Sequence, residues 1–415
     1  MIKYRSFIVF VVAVALLALS ARTGYAAPFS CVANAAVPPT IRVEGLAERV
    51  GDLVLACFGG IAGSPITVNL TVFLNTAVTS RIITPPATSE ALLLIDEPAP
   101  AAQVLNANVF QGLVSGNQIT WPNISFTAPG DFAHRIFRFT NLRAHAIGLS
   151  GSPYIVQALV SASGNAGMPI SYPTQIMAFG QRGLNFSADS ASFSYSLAPG
   201  ADGNPTQFSI TFSEAFPTAF KKKIEGTYQN IPGLIYNTES GFTSSVTGAA
   251  GLADSGTRLV ARFSSIPSGV SLSVPVTVTD GTFTAMLMTG VAQDFSGGTP
   301  AVSGDIVLSG GSGVAVWEIT DENPLAAQNI TFPVTVSYAP GISGGKAFVS
   351  GSLGPVSTNA AASASNPLPR FNSPAGAVTA FVISVPVPTL GEWGMILFML
   401  LAGALAVYHL RKSEA

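Results

Sequence analysis

Few side chains in this chain are suited to chemistry. The histidines are His134, His145 and His409. His134 and His145 stand eleven residues apart, which suits two ligands of a transition metal, but no third ligand is marked by spacing. They read more simply as half-exposed strand or loop residues. Gly341-Ile342-Ser343-Gly344-Gly345 fits the G-x-S-x-G form of a nucleophile elbow. That elbow needs a strand before it, a helix after it, and then an Asp and a His further on. Here "KAFVSGSL" follows, which alternates like a strand, and the only later histidine is His409. The stretch reads as a hairpin turn. Asp202-Gly203-Asn204 and the acids Glu318, Asp321 and Glu322 are oxygen-rich enough to hold calcium. Neither offers a full ligand set, so no metal is assigned. Lys221-Lys222-Lys223 reads as a solvated helix end. Paired carboxylates for glycoside cleavage carry no sequence signature, because the fold sets their spacing. The expectation is a protein that is not an enzyme and needs no cofactor.

The elements that position these residues have period two. Val68, Leu70, Val72 and Leu74 alternate with Asn69, Thr71 and Phe73; Phe193, Tyr195 and Leu197 alternate with serines; Phe208, Ile210 and Phe212 alternate with Ser209 and Thr211. Val270 to Val278 alternates over nine residues. Such alternation gives a strand one dry and one wet face, as in antiparallel sheets. Asp280-Gly281 has the form of a two-residue hairpin turn, and Pro275 places its strand at a sheet edge. "VTVSYAPGISGGKAFVSGSL" reads as two strands around a Gly-rich turn. Helix is scarce, with 213–223 ("SEAFPTAFKKK") as a short candidate. The fold class expected is all-β, with two β-sandwich or jelly-roll-like domains.

A tenth of the chain is charged. Residues 27–386 hold 14 Lys and Arg against 19 Asp and Glu, a net of −5 spread thinly. Without a basic face, nucleic acid is an unsuitable partner. Ser, Thr, Asn and Gln must then solvate the outer faces of the strands, a composition that suits exported β-proteins. The best linker candidate is 197–207, which divides the body into 27–200 and 201–357. Residues 358–386, rich in Ala, Ser and Pro, read as a flexible stalk. The likeness of "GDLVLACFGG" (51–60) to "GDIVLSGGSG" (304–313) reads as chance rather than duplication.

The chain has an apolar segment near each end. Lys3 and Arg5 precede an apolar run of 13 residues, Phe7 to Leu19, and small residues stand at Gly24 and Ala26. Residues 1–26 therefore read as an export signal cleaved after Ala26, with a retained anchor or cleavage after Ala27 as alternatives. Cys31 and Cys57 enclose 25 residues, and in an oxidising compartment the pair is most simply a disulfide, with two free thiols as the alternative. At the other end, Leu390 to Leu410 is 21 residues long with one charge, Glu392. As a helix it would reach about 31 Å and cross a bilayer, with Arg411 and Lys412 on the cytoplasmic side.

Val387-Pro388-Thr389-Leu390-Gly391-Glu392-Trp393-Gly394, an apolar segment and a basic tip resemble the IPTLxxWG-CTERM sorting signal. Pro388, Thr389, Leu390, Trp393 and Gly394 match its pattern, and Val387 stands where Ile is usual. The resemblance covers about 29 of 415 residues. It implies recognition by an exosortase-type sorting enzyme, removal of the helix, and delivery to the cell surface or matrix. A plain C-terminal anchor is the alternative. "CVANAAVPPTIRVEGLAERVGDLVLACFGG" is similar to the mature start of a group of exported bacterial β-proteins, from which no activity carries over. The reading is a membrane-anchored precursor, handled by signal peptidase and the sorting enzyme, whose mature form has a structural or adhesive role. Extracellular polysaccharide is a possible contact. The alternative function is a carbohydrate-binding or carbohydrate-processing exoprotein.

Overall fold

The computed structural model describes residues 27–164, 167–189, 206–248, 250–339, 345–372, 378–383 and 396–404. Strands dominate, and the described residues build two hydrophobic cores.

The first core belongs to a 12-stranded sheet. Its main path runs Ile170–Ser171, Ser30–Ala35, Leu53–Gly59, Gly130–Thr140, Thr88–Ile95, Val109–Ser115, Gln118–Thr127, Pro65–Leu74, Tyr154–Gly164, Thr174–Gln181 and Thr40–Arg42. Only Tyr172 and Pro173 separate Ile170–Ser171, at one end of the path, from Thr174–Gln181, near the other. So short a link brings the two ends together, and the sheet rolls around one interior. The alternating set Val68, Leu70, Val72 and Leu74 is buried there with Trp121, Phe137 and Phe139. Trp121 and Phe139 lie 4.9 Å apart between ring centroids.

The second core lies between a four-stranded and a seven-stranded sheet. Leu184–Ala188, Thr206–Glu214, Asn329–Tyr338 and Val270–Ser273 form the first. The second runs Thr277–Thr279, Thr284–Thr289, Gly313–Asp321, Arg258–Ser264, Gly345–Gly354 and Val378–Ile383, with Thr299–Pro300 beside Thr284–Thr289. Phe208, Ile210, Phe212 and Phe332 from one sheet meet Trp317, Leu259 and Phe263 from the other. Trp317 and Phe332 are 4.1 Å apart. This is a β-sandwich.

Several expectations change. The first sheet ends at Gln181 and Leu184 already belongs to the second core, so the division falls near 182–183 rather than 200. Of the candidate linker 197–207, the described part, Thr206 and Gln207, begins strand Thr206–Glu214 of the second sandwich, which pairs with Leu184–Ala188. The helix candidate 213–223 is the end of strand Thr206–Glu214 followed by turns. The alternating run 270–278 breaks at Pro275, which lacks an N–H for a ladder. Its halves, Val270–Ser273 and Thr277–Thr279, lie at edges of different sheets, and Trp317 Nε1 donates to the Pro275 carbonyl at 3.1 Å. The Asp280-Gly281 turn is longer than two residues, since Thr279 pairs with Thr284. Asp280 Oδ1 accepts from the Thr282 and Phe283 amides, which closes it as an Asx turn. Asn329–Tyr338 and Gly345–Gly354 are strands as expected, but they sit in different sheets and do not pair as a hairpin. Residues 51–60 contain strand Leu53–Gly59, whereas 304–313 are mostly irregular, so the two similar stretches are not structural repeats.

The expected stalk differs most. Leu368, Arg370 and Phe371 are buried. The Leu46 amide donates to the Arg370 carbonyl at 2.9 Å, and the Phe371 amide donates to the Pro355 carbonyl at 2.8 Å. Residues 367–372 thus tie the first unit to the second. Further on, Val378–Ile383 adds a strand to the seven-stranded sheet.

Candidate functional site at the junction of the two cores

The sorting-motif residues Val387, Pro388, Thr389, Leu390, Trp393 and Gly394 lie outside the described residues. So do Ala26, Arg411 and Lys412, Phe193–Leu197, Asp202–Asn204 and Gly341–Gly344. Between the motif and the basic tip, 396–404 is helical. No helix among the described residues is long and apolar enough to cross a membrane.

Cys31 and Cys57 form the disulfide. They face each other across neighbouring antiparallel strands, 1% and 0% exposed, so the crosslink lies inside the first core. Closing a loop of this length removes about 3.5 kcal/mol of entropy from the unfolded chain in the loop-closure model.

The two histidines are not brought together. His134 is exposed and packs on Phe58 with ring centroids 6.1 Å apart. His145 caps a short 3-10 turn, and its carbonyl accepts from Thr76 Oγ1 at 2.9 Å. The acids near 320 also diverge. Glu318 Oε2 is 2.8 Å from Arg258 Nη2, while Asp321 is 3.3 Å from Lys222 Nζ. Lys221 is buried rather than solvated. Burial, and then Arg42 nearby, pull its pKa down to about 8.

What the fold does assemble is a buried ionic junction that sequence reading missed. The apolar run Ala91–Ile95 does not alternate, and this was the available signal. Ala91 and Leu93 face the first core, while Leu92 and Leu94 pack with Tyr236, Phe242 and Ala250 from the second unit. Strand Thr88–Ile95 is therefore covered on both faces. Gly251, at φ +74°, lies so close that a Cβ would stand 2.2 Å from the Phe242 carbonyl oxygen, which only glycine permits.

Arg42, at the end of strand Thr40–Arg42, is the centre. Its Nη1 and Nη2 donate to the two Glu239 carboxylate oxygens at 2.7 and 2.9 Å. Its Nε donates to Glu48 Oε1 at 3.0 Å, and Nη1 also reaches the Ala219 carbonyl at 2.9 Å. The guanidinium lies 4.6 Å from the centre of the Phe371 ring. This is a forked, fully desolvated ion pair with a cation–π floor. Burial works against charge on Glu239, but Arg42 and its hydrogen bonds hold the carboxyl below its usual range. Arg143 adds a second clamp: Nε donates to Glu90 Oε1 at 2.7 Å and Nη2 to the Glu239 carbonyl at 2.8 Å. Arg49 and Asn141 donate to the carbonyls of Tyr236 and Phe242. Burial, and then Arg143, bring the Arg49 pKa down to about 10. Both Glu239 carboxylate oxygens and its carbonyl are engaged, so the cluster holds the two units in register.

Comparison with known proteins bears mainly on the C-terminal end. Residues 385–412 match the IPTL-CTERM motif. No curated protein matches the chain. Among solved structures, the C-terminal domain of the Streptococcus agalactiae AgI/II polypeptide BspA aligns with TM-score 0.30 and 7% identity, covering 85% of this chain and 99% of that one. The C-terminal domain of the Streptococcus pyogenes antigen I/II-family protein AspA aligns with TM-score 0.28 and 8% identity over 86% of this chain and 100% of that one. The CupB6 tip adhesin from Pseudomonas aeruginosa gives 0.18 and 9% over 80% and 95%. At these scores the likeness sets neither fold family nor function.

Proposed function

We propose, from the IPTL-CTERM motif at residues 385–412, that this is an exported protein sorted to the bacterial surface or its surrounding matrix. There it has a structural or adhesive role and catalyses nothing. The motif is the observation that carries this reading. In it, residues 1–26 are removed by signal peptidase after Ala26, the helix around 396–404 holds the precursor in the inner membrane, and an exosortase-type enzyme acts at Val387–Gly394. The body supports a displayed role in two ways. Buried charges are paired with each other at the junction, as Arg42 with Glu48 and Glu239, and Arg143 with Glu90. Its outer strand faces solvate themselves with neutral groups, as where Thr211 meets Thr331 at 3.0 Å and Gln207 Nε2 donates to Thr335 at 3.2 Å.

The test is fractionation of the source bacterium with and without its sorting enzyme, with intact mass measured on the recovered protein. The expected result is surface protein lacking residues 396–404 when the enzyme is present, and inner-membrane protein retaining them when it is deleted. Surface protein of unchanged mass in both strains overturns sorting, and cytosolic protein with residues 1–26 intact overturns export.

A further inference from the structure

Beside the junction, on the second unit, lies a cavity of about 190 Å³. It is lined by Tyr228, Tyr236, Leu234 and Ile235, with Glu225, Glu322 and Lys222 among its polar residues. We propose that this cavity binds an alkylammonium group, a protonated or quaternary nitrogen on a short apolar stem.

Three observations converge on that chemistry. The first is size. The cavity is smaller than the roughly 300–1,000 Å³ that houses drug-sized ligands, so it takes a head group. The second is charge. Two carboxylates face one lining cation, Lys222, whose ammonium is already shared, at 3.3 Å from Asp321 and 3.7 Å from Glu225. The Glu322 carboxylate has no hydrogen bond or ion pair among the described residues. Partial burial, and then repulsion from Glu214, push its pKa up to about 7, against the attraction of Lys222 and Lys221 and with the further repulsion of Asp321. A ligand cation supplies the counter-charge. The third is the aromatic wall. Tyrosine faces attract ammonium groups, and carboxylate-rimmed aromatic cages are selective for them. An anion would meet the carboxylates, and a neutral alcohol would leave Glu322 unpaired. The inference stands independently of surface sorting.

The test is ligand-observed saturation-transfer NMR on the full chain at pH 8, with n-butylammonium and its uncharged counterpart n-butanol. Butylammonium is expected to bind at least tenfold more tightly than butanol. Glu322→Gln and Tyr228→Ala should each weaken it about tenfold. Tyr228 is 59% exposed, so its truncation leaves the fold intact. Glu322→Gln removes a carboxylate that Glu214 repels, so it also leaves the fold intact. Lowering the pH to 5.5 protonates Glu322 while the ligand stays charged, and binding should fall. Equal binding of butanol, or unchanged affinity in both variants, overturns the proposal. Glucosamine and Nα-acetyl-lysine methylamide, run as further ligands, distinguish a sugar from a peptide as the source of the ammonium.

Discussion

Glu239→Ala is expected to lower the stability of the body by about 3–5 kcal/mol, the usual result of removing one partner from a buried ion pair. The reason is desolvation. Arg42 and Glu239 have side chains only 2% exposed. Without the carboxylate, the buried guanidinium keeps Glu48 but loses two charge-assisted bonds. Thr257 Oγ1, which donates to Glu239, loses its acceptor as well. In a unit of this size the melting temperature should drop by on the order of 10 °C. Asp321→Ala is the control. Its bridge to Lys222 is formed by side chains 57% and 23% exposed, and pairs of that kind contribute about 0–1 kcal/mol. Urea unfolding of the two variants checks the contrast, and a Glu239→Ala effect no larger than that of Asp321→Ala would contradict the junction.

Phe371→Ala should cost about 3–5 kcal/mol, the range for emptying a buried phenylalanine site. The ring is fully buried, packs in the second core, and lies against the Arg42 guanidinium. Its backbone is fixed on both sides: the Ser357 amide donates to its carbonyl at 2.9 Å, and the Asn372 amide donates to the Glu44 carbonyl at 3.0 Å. Truncation therefore leaves a cavity that neighbouring strands have little freedom to fill. The effect also distinguishes a structural tie from a stalk. Ser365, six residues earlier in the same Ala/Ser/Pro-rich stretch, is exposed, and Ser365→Ala should stay within about 0.5 kcal/mol. Thermal melts of both variants decide it, and equal melting temperatures would restore the stalk.

The stalk shows where sequence and structure part. Composition over 358–376 is averaged across many small residues, and that average hides Leu368 and Phe371. Local alternation was legible because one strand carries it: Val68 to Leu74 and Phe208 to Phe212 point inward as their spacing requires. The paired cysteines were legible for a different reason: the chain has only two thiols, so a disulfide has one possible pairing. Pairing across the chain was not. Thr206–Glu214 pairs with Asn329–Tyr338 more than a hundred residues on, and Arg42 meets Glu239 across 197 positions. No local pattern encodes either partner. Lys221 illustrates the remaining difficulty. Three lysines in a row read as solvent-facing, yet the first is buried beside Arg42 because the turn after Glu214 folds back onto the junction. The Glu214 carboxylate fixes that turn by accepting from the Phe220 and Gln328 amides.

The central claim is that two β-cores, sharing the Arg42–Glu239 clamp and the 367–372 tie, unfold as one body. Each core contains one buried tryptophan, Trp121 in the first and Trp317 in the second. Urea titration of Trp121→Phe and Trp317→Phe, each made together with Trp393→Phe so that it reports through the one tryptophan that remains, reads the cores separately. The account predicts coincident midpoints once each variant's own stability loss is measured by circular dichroism. Two separated transitions within a single variant, one core lost while the other stands, would contradict it.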